Sequence, residues 1–242
     1  MPSPRYDYAE CIACEGSGYR SNAGPGVDPK CGACNGVGMT KTLKENVQHS
    51  SATNEHYTPK AIVEAARATL GTIELDPASC QLGNSVVGAM AWYGPGSDLA
   101  EDGLAEPWLG KVFLNPPGGN VPEQYKGLGT KSNAALWWSA LAGYWSEGEV
   151  EAAIFVGFTL EILRAAQAID VTQPLDFPLC VPKSRIRFDT EEGGKRIAST
   201  SPTHANVIVY LPPKPWKIGR KSSTVMVDQF VSAFSPLGKC RI

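Results

Sequence analysis

The segment Val112-Phe113-Leu114-Asn115-Pro116-Pro117-Gly118 sets the architecture. Lys111 to Leu114 is a short apolar run of the kind that forms a buried strand. The run stops at Asn-Pro-Pro. Two prolines fix an extended backbone and remove two amide donors, so the loop presents carbonyl oxygens. A second run, Thr72 to Leu75, ends in the same manner at Asp76-Pro77-Ala78-Ser79. In sheets covered on both faces, ligands sit at the carboxyl ends of strands, so these two loops are where chemistry is expected.

Outward from this segment the chain alternates between strand and helix patterns. Lys60–Leu70 carries apolar residues at helical spacing, with Thr58 as a cap and Pro59 at the first position. Asn133–Trp145 reads as a helix, Ala152–Phe158 as a buried strand and Leu160–Ile169 as helical. Leu179–Pro182 and Asn206–Leu211 read as strands, and Ser223–Phe234 as a closing helix. Strands alternating with helices predict an α/β domain over residues 54–242.

The Asn115 side-chain oxygen and the Pro116 carbonyl can both accept hydrogen bonds. An aromatic exocyclic amine offers two hydrogens and a lone pair delocalised into its ring. Two converging acceptors hold those hydrogens, favour a more tetrahedral nitrogen and free the lone pair to attack a methyl sulfonium. This is catalysis by positioning and electrostatics. Taken alone the tripeptide is also an ordinary turn.

Residues 54 to about 212 resemble the phage-type, Dam-like DNA adenine methyltransferases. The pieces that carry the resemblance come in order: Glu55-His56-Tyr57-Thr58-Pro59, Glu74-Leu75-Asp76-Pro77-Ala78 with Asn84 following, then Asp102-Gly103-Leu104, Trp108 and Val112 to Pro117. Val181 to Phe188 and Ser201 to Asn206 complete the set. The resemblance implies a class I S-adenosylmethionine-dependent methyltransferase sheet, Rossmann-like, with Asn115, Pro116 and Pro117 as the catalytic loop. It places Thr58 and Pro59 at the methionine end of the cofactor, with Tyr57 also among the cofactor-binding residues. Asp76 falls near its ammonium or ribose, Asp98 or Asp102 near ribose or adenine, and Asn115 also beside it. Each of these acids also suits a helix cap or a solvated turn.

Two departures from the family pattern stand out. The loop after the first strand, Asp76 to Gly83, has a single late glycine where many class I methyltransferases have several. The two prolines are followed by Gly118 and Gly119 where many amino-methyltransferases carry an aromatic residue. A base taken out of the stack needs a π face, and Tyr125, Trp137 and Trp138 are the candidates. Trp137, Trp138 and Trp145 equally suit a core.

The N-terminal 40 residues hold a different pattern. Cys11-Ile12-Ala13-Cys14-Glu15-Gly16-Ser17-Gly18 is repeated as Cys31-Gly32-Ala33-Cys34-Asn35-Gly36-Val37-Gly38. Each is C-x-x-C-x-G-x-G. A C-x-x-C turn directs two thiolates at one ion, and tetrahedral zinc takes four. Two disulfides or four free thiols are the alternatives. The repeat is similar to the cysteine-rich zinc centre of DnaJ-type chaperones, with two repeats here, enough for one zinc. A site closed by Cys11, Cys14, Cys31 and Cys34 is structural, since no position stays open for catalysis. Residues 1–40 are therefore read as a small zinc-binding module and 41–53 as a linker. Cys80, Cys180 and Cys240 are too scattered for a second site.

The chain has 242 residues, 43% of them apolar and 19% charged, which excludes disorder throughout. No run of 18 apolar residues is present, and Met1 to Glu10 lacks a secretory pattern, so a cytoplasmic protein is expected. The net charge of −2 hides a gradient. Residues 1–120 carry 8 Lys/Arg against 13 Asp/Glu, and residues 180–242 carry 11 against 4. An acidic front suits a cationic cofactor and a basic back a polyanion, although ordinary surface variation gives such gradients too. Lys183, Arg185, Arg187, Lys195 and Arg196 are the expected phosphate contacts to double-stranded DNA. Lys214, Lys217, Arg220 and Lys221 beside Trp216 form a second basic cluster. The reading is thus adenine methylation in DNA. Cytosine or RNA as substrate, and a DNA-binding adaptor without activity, are the alternatives.

Overall fold

A computed structural model of the chain describes residues 6–10, 17, 39–43, 56–127, 132–169, 171–192, 195–198, 204–216 and 225–242. The chain forms two compact units, Met1–Ser51 and Ala52–Ile242.

In the first unit β1 (Tyr6–Glu10) pairs antiparallel with β2 (Met39–Leu43), in register from Tyr6 opposite Leu43 to Glu10 opposite Met39. Residues 41–43, expected in the linker, therefore belong to a strand. The pairing of Glu10 with Met39 brings together the two ends of the segment that holds the four cysteines. Cys11, Cys14, Cys31 and Cys34 themselves lie outside the described residues.

The second unit is α/β. Its sheet has seven strands, β3 (Leu75–Asp76), β4 (Ala91–Trp92), β5 (Gly110–Leu114), β6 (Val150–Gly157), β7 (Leu179–Pro182), β10 (Val207–Leu211) and β11 (Gly238–Arg241). The order is β11-β7-β10-β6-β5-β3-β4. β4, β3, β5 and β6 run parallel, while β10 is antiparallel to both β6 and β7, and β11 to β7. This mixed sheet is compatible with a Rossmann-like fold.

Both faces are covered, which is why the central strands read as continuous apolar runs. In β6, Ile154 and Val156 join one core with α1 (Lys60–Leu70) and α5 (Val225–Phe234). Ala153 and Phe155 point the other way, into a core with α3 (Asn133–Glu147). In β10, Ile208 and Tyr210 alternate with Val207, Val209 and Leu211 in the same manner. Trp138 and Trp145 are core residues: Trp138 is fully buried against Phe155 and Phe177, and the Trp145 indole donates to the Pro212 carbonyl at 2.8 Å. Neither can serve a base. A residue such as Leu141, fully buried between them, contributes about 2–5 kcal/mol against alanine.

Local details differ from the sequence pattern where packing overrides propensity. The first expected strand, Thr72 to Leu75, is observed as Leu75–Asp76. The helix expected over Leu160–Ile169 is a single turn, α4 (Ile162–Ala165), continued by a 3-10 turn at Ala166–Ala168. α1 starts after Pro59 with no side-chain cap, so Thr58 does not cap it. Other elements carried too little pattern to be read: β1, β2, α2 (Gln81–Val87), β4, β11 and a hairpin of β8 (Asp189–Glu192) with β9 (Lys195–Ala198).

The chain leaves β3 through α2 to β4 on one side, then returns to β5 on the other. The carboxyl ends of β3 and β5 therefore flank the point where strand order reverses. Open α/β sheets bind ligands in the crevice at that point.

Candidate functional site

A cavity of about 240 Å³ opens at this crevice, close to the lower end, roughly 300 Å³, of small-molecule pockets. Its walls come from three stretches far apart in sequence: His56-Tyr57-Thr58, the loop from Asp76 to Cys80, and Asn115-Pro116-Pro117. Asp102, Gly103 and Trp137 close it from the side of β4 and α3.

Asp76 ends β3 and is 3% exposed. Its Oδ1 accepts from the Ala78 backbone N–H at 3.2 Å. No Lys, Arg or His among the described residues pairs with it. Burial pushes its carboxyl up from 3.8 to about 7, against the opposing hydrogen bonds from the Ala78 backbone and the Ser79 side chain. The cavity thus holds a desolvated acid without a cation.

The glycines absent from the loop after β3 lie on the segment packed over it. A Cβ on Gly94 would sit 1.9 Å from the Ser79 carbonyl oxygen, and one on Gly103 would sit 1.8 Å from that of Pro77. Only glycine permits either approach. Trp108, fully buried, holds Gly103 in place by donating its indole N–H to the Gly103 carbonyl at 2.6 Å.

Asn115 follows β5 directly. Its side-chain nitrogen donates to the His56 carbonyl at 2.7 Å. That bond fixes the amide orientation and leaves Oδ1 as the acceptor. The Pro116 carbonyl accepts no hydrogen bond among the described residues, whereas the Pro117 carbonyl accepts from the Asn133 side chain at 2.9 Å. The pair of free acceptors read from the sequence is therefore Asn115 Oδ1 and Pro116 O. Pro116 is buried and Pro117 is exposed.

Thr58 is 3% exposed, lines the cavity, and its hydroxyl has no partner among the described residues. The Trp137 indole N–H, also in the cavity wall, is buried and unpartnered as well. Buried polar atoms without partners are uncommon in folded proteins, and these two meet at one cavity. Tyr57 is buried and its hydroxyl donates to Glu191 at 3.2 Å. Pro59 precedes α1 and lies outside the cavity wall.

Of the remaining acids, Asp102 lines the cavity and Asp98 does not. Asp98 is exposed on the turn after β4. Asp102 accepts from the Tyr125 hydroxyl at 2.7 Å and from the Leu104 backbone at 3.0 Å. Burial, with the bond to Asp102 and its charge, raises the Tyr125 phenol to about 12. Tyr125 is thus tied down rather than free to meet a base.

The basic residues divide. Lys183, Arg185, Arg187 and Lys195 are exposed, with Ile186 and Phe188 buried between them. This alternation turns three cations outward on one segment. Arg196 is not part of that surface. Its side chain is 12% exposed and pairs with Asp189 at 2.8 Å. It donates to the Thr58 carbonyl at 2.7 Å and lies over the Tyr57 ring at 5.3 Å. Tyr57 and Asp189 also exchange two backbone hydrogen bonds, of 2.8 and 2.9 Å. Arg196 therefore fastens the β8–β9 hairpin to the wall of the cavity. Lys214 reaches the Ser146 carbonyl and the Trp145 ring, while Lys217, Arg220 and Lys221 lie outside the described residues.

Comparison with protein-family models, curated proteins and solved structures finds no match. No helix among the described residues is long and apolar enough to cross a membrane, and none of those residues forms a cluster able to hold a metal.

Proposed function

We propose that the chain transfers a methyl group from S-adenosylmethionine to the exocyclic amine of adenine in double-stranded DNA. The observation that carries this reading is the fixed Asn115 amide. With its nitrogen committed to the His56 carbonyl, Oδ1 and the Pro116 carbonyl remain as two acceptors at the rim of a cavity. Both hydrogens of an aromatic amine can be held there, which shifts electron density onto the nitrogen.

The cavity fits the cofactor by its donor set. An unpaired buried carboxylate suits an ammonium or sulfonium, and the Thr58 hydroxyl and Trp137 N–H suit carboxylate, ribose or ring acceptors. When bound, S-adenosylmethionine supplies an electrophilic methyl group. The protein's part would be to hold the amine in line within the buried walls and accept its two hydrogen bonds as the lone pair takes the methyl, the surplus proton passing to solvent as the product leaves. Lys183, Arg185, Arg187 and Lys195 provide an exposed basic strip for phosphates. A single structural zinc on Cys11, Cys14, Cys31 and Cys34 completes the proposal, and rests on ligand chemistry and spacing.

The test is a digest of mixed-sequence duplex DNA to nucleosides after incubation with labelled cofactor. N6-methyladenine from the wild type, with roughly a 10²–10³-fold loss of kcat in Asn115→Ala and cofactor binding still detectable, is the expected outcome. Methyl on cytosine would retain the chemistry and replace the substrate. Absence of both transfer and cofactor binding would refute the reading.

A further inference from the structure

The prolines of the acceptor loop are followed by glycine, so the π face for an extruded base must come from elsewhere. Trp138 and Trp145 are core, Tyr125 is bound to Asp102, and Trp137 is 6% exposed and stacked on Trp108 with centroids 5.8 Å apart. Another ring stands at the acceptors. His56 is half-buried, lines the cavity, and belongs to the residue whose carbonyl clamps Asn115. Phe158, just past the end of β6, covers it in a near-parallel stack, 5.0 Å between centroids and 22° between planes. Phe188 meets the His56 ring edge-on at 6.3 Å, and His204 lies 5.0 Å from Phe158.

We propose that His56, backed by Phe158, is the face on which the target base stacks when its amine lies between Asn115 and Pro116. The inference rests on the methyl-transfer reading above. Three observations support it. First, one backbone unit carries both the ring and the carbonyl that orients Asn115, so the stacking plane and the acceptors are set together. Second, the backing ring is fixed: Asn206, 3% exposed, donates to the Phe158 carbonyl at 2.6 Å and accepts from the Ile186 N–H at 2.8 Å. Third, burial and the neighbouring His204 both lower the His56 pKa, so the imidazole is uncharged at neutral pH. A neutral ring stacks without opposing a sulfonium nearby. Stacking accepts any base, which leaves the requirement for an exocyclic amine to the acceptor pair.

The experiment measures KM for mixed-sequence duplex DNA, kcat, and the dissociation constant of S-adenosylmethionine, in the full chain. His56→Leu removes the ring and leaves the backbone carbonyl. His56→Phe keeps a ring. Base–aromatic stacking predicts a rise in DNA KM of roughly ten-fold or more for His56→Leu, cofactor affinity within about two-fold, and recovery in His56→Phe to within about three-fold of wild type. His56→Gln replaces the leucine variant if thermal melting shows that one unfolded. A wild type that methylates, with Leu or Gln leaving KM unchanged or with Phe no better than Leu, overturns the stacking role alone. A wild type that transfers no methyl overturns the methyl-transfer reading and this inference with it.

Discussion

Asp76→Asn separates two properties that share one residue. The Asp76 carboxyl stands at about 7 in the folded protein against an ordinary 3.8. The gap of 3.2, at about 1.4 kcal/mol per pH unit, makes the ionised carboxylate cost on the order of 4 kcal/mol. Between these two values the folded state holds a proton that the unfolded state has released. Stability therefore falls as pH rises through that window and levels off above about 7. Asparagine has no such titration. From pH 5 to pH 8 the wild type loses about 2.6 kcal/mol relative to the variant, most of it below pH 7, and other titrating groups cancel in the comparison. At roughly 2–4 °C per kcal/mol, the melting temperature of Asp76→Asn relative to wild type rises by about 5–10 °C between pH 5 and pH 8. Cofactor binding runs the opposite way. A bound cation favours the ionised acid, so wild-type affinity for S-adenosylmethionine falls up to ten-fold per pH unit below 7. The variant binds at least ten-fold more weakly at pH 8 and without that dependence. Melting scans of both cofactor-free proteins across pH, with calorimetric titrations, read both effects. A constant difference in melting temperature refutes the buried, desolvated acid. Equal affinities refute its role toward the cofactor's cation.

Three other perturbations separate the basic residues and the head. Charge reversal at Arg185 and Arg187 lowers DNA affinity and reduces the slope of log K against log salt by about 2; a fluorescence anisotropy series with an unchanged slope excludes them as phosphate contacts. Arg196→Ala acts differently, because it breaks a largely buried pair with Asp189: it lowers stability by about 2 kcal/mol and leaves the salt slope alone, as melting and the same anisotropy series report. Metal analysis of the purified chain finds one zinc, released by a thiol-reactive mercurial and lost in Cys31→Ser; a metal-free wild type with free thiols ends the zinc proposal.

What was legible in the sequence follows from physical strength. Central strands such as Ala152–Phe158, observed as Val150–Gly157, are buried on both faces from Ala152 to Val156 and are apolar there. Lys60–Leu70 was legible for the same reason, since Ile62, Val63, Ala66 and Leu70 need the core. The loops after β3 and β5 were legible because proline and the strand ends mark them. Arg196 was misread because sequence gives charge but not partners. Its Nε and Nη2 are turned inward onto Asp189 and the Thr58 carbonyl, the latter 138 residues away along the chain. Asp98 was misplaced because two acids four residues apart carry the same signal, and only the packing of Gly103 on Pro77 brings Asp102 to the cavity. His56 left no signal of its own: a lone histidine before Tyr-Thr-Pro becomes informative only when Phe158, 102 residues on, is found stacked against it.

The absent glycine loop has a similar explanation. A turn after the first strand needs glycine when the ligand or a neighbouring backbone approaches on the side where a Cβ would point. Here Asp76-Pro77-Ala78-Ser79 keeps its side chains, and the closeness is supplied by the partner surface. Gly94, at φ +138°, and Gly103 approach the Ser79 and Pro77 carbonyls to distances that no Cβ permits. Proline at 77 then stiffens the loop, with Ala78 N–H turned onto the Asp76 carboxylate. This wall of the cavity is thereby held by backbone contacts of its own, with its acid already desolvated. Preorganisation of this kind puts the cost of burying Asp76 into folding, so that a cationic ligand meets a carboxylate with little water left to displace.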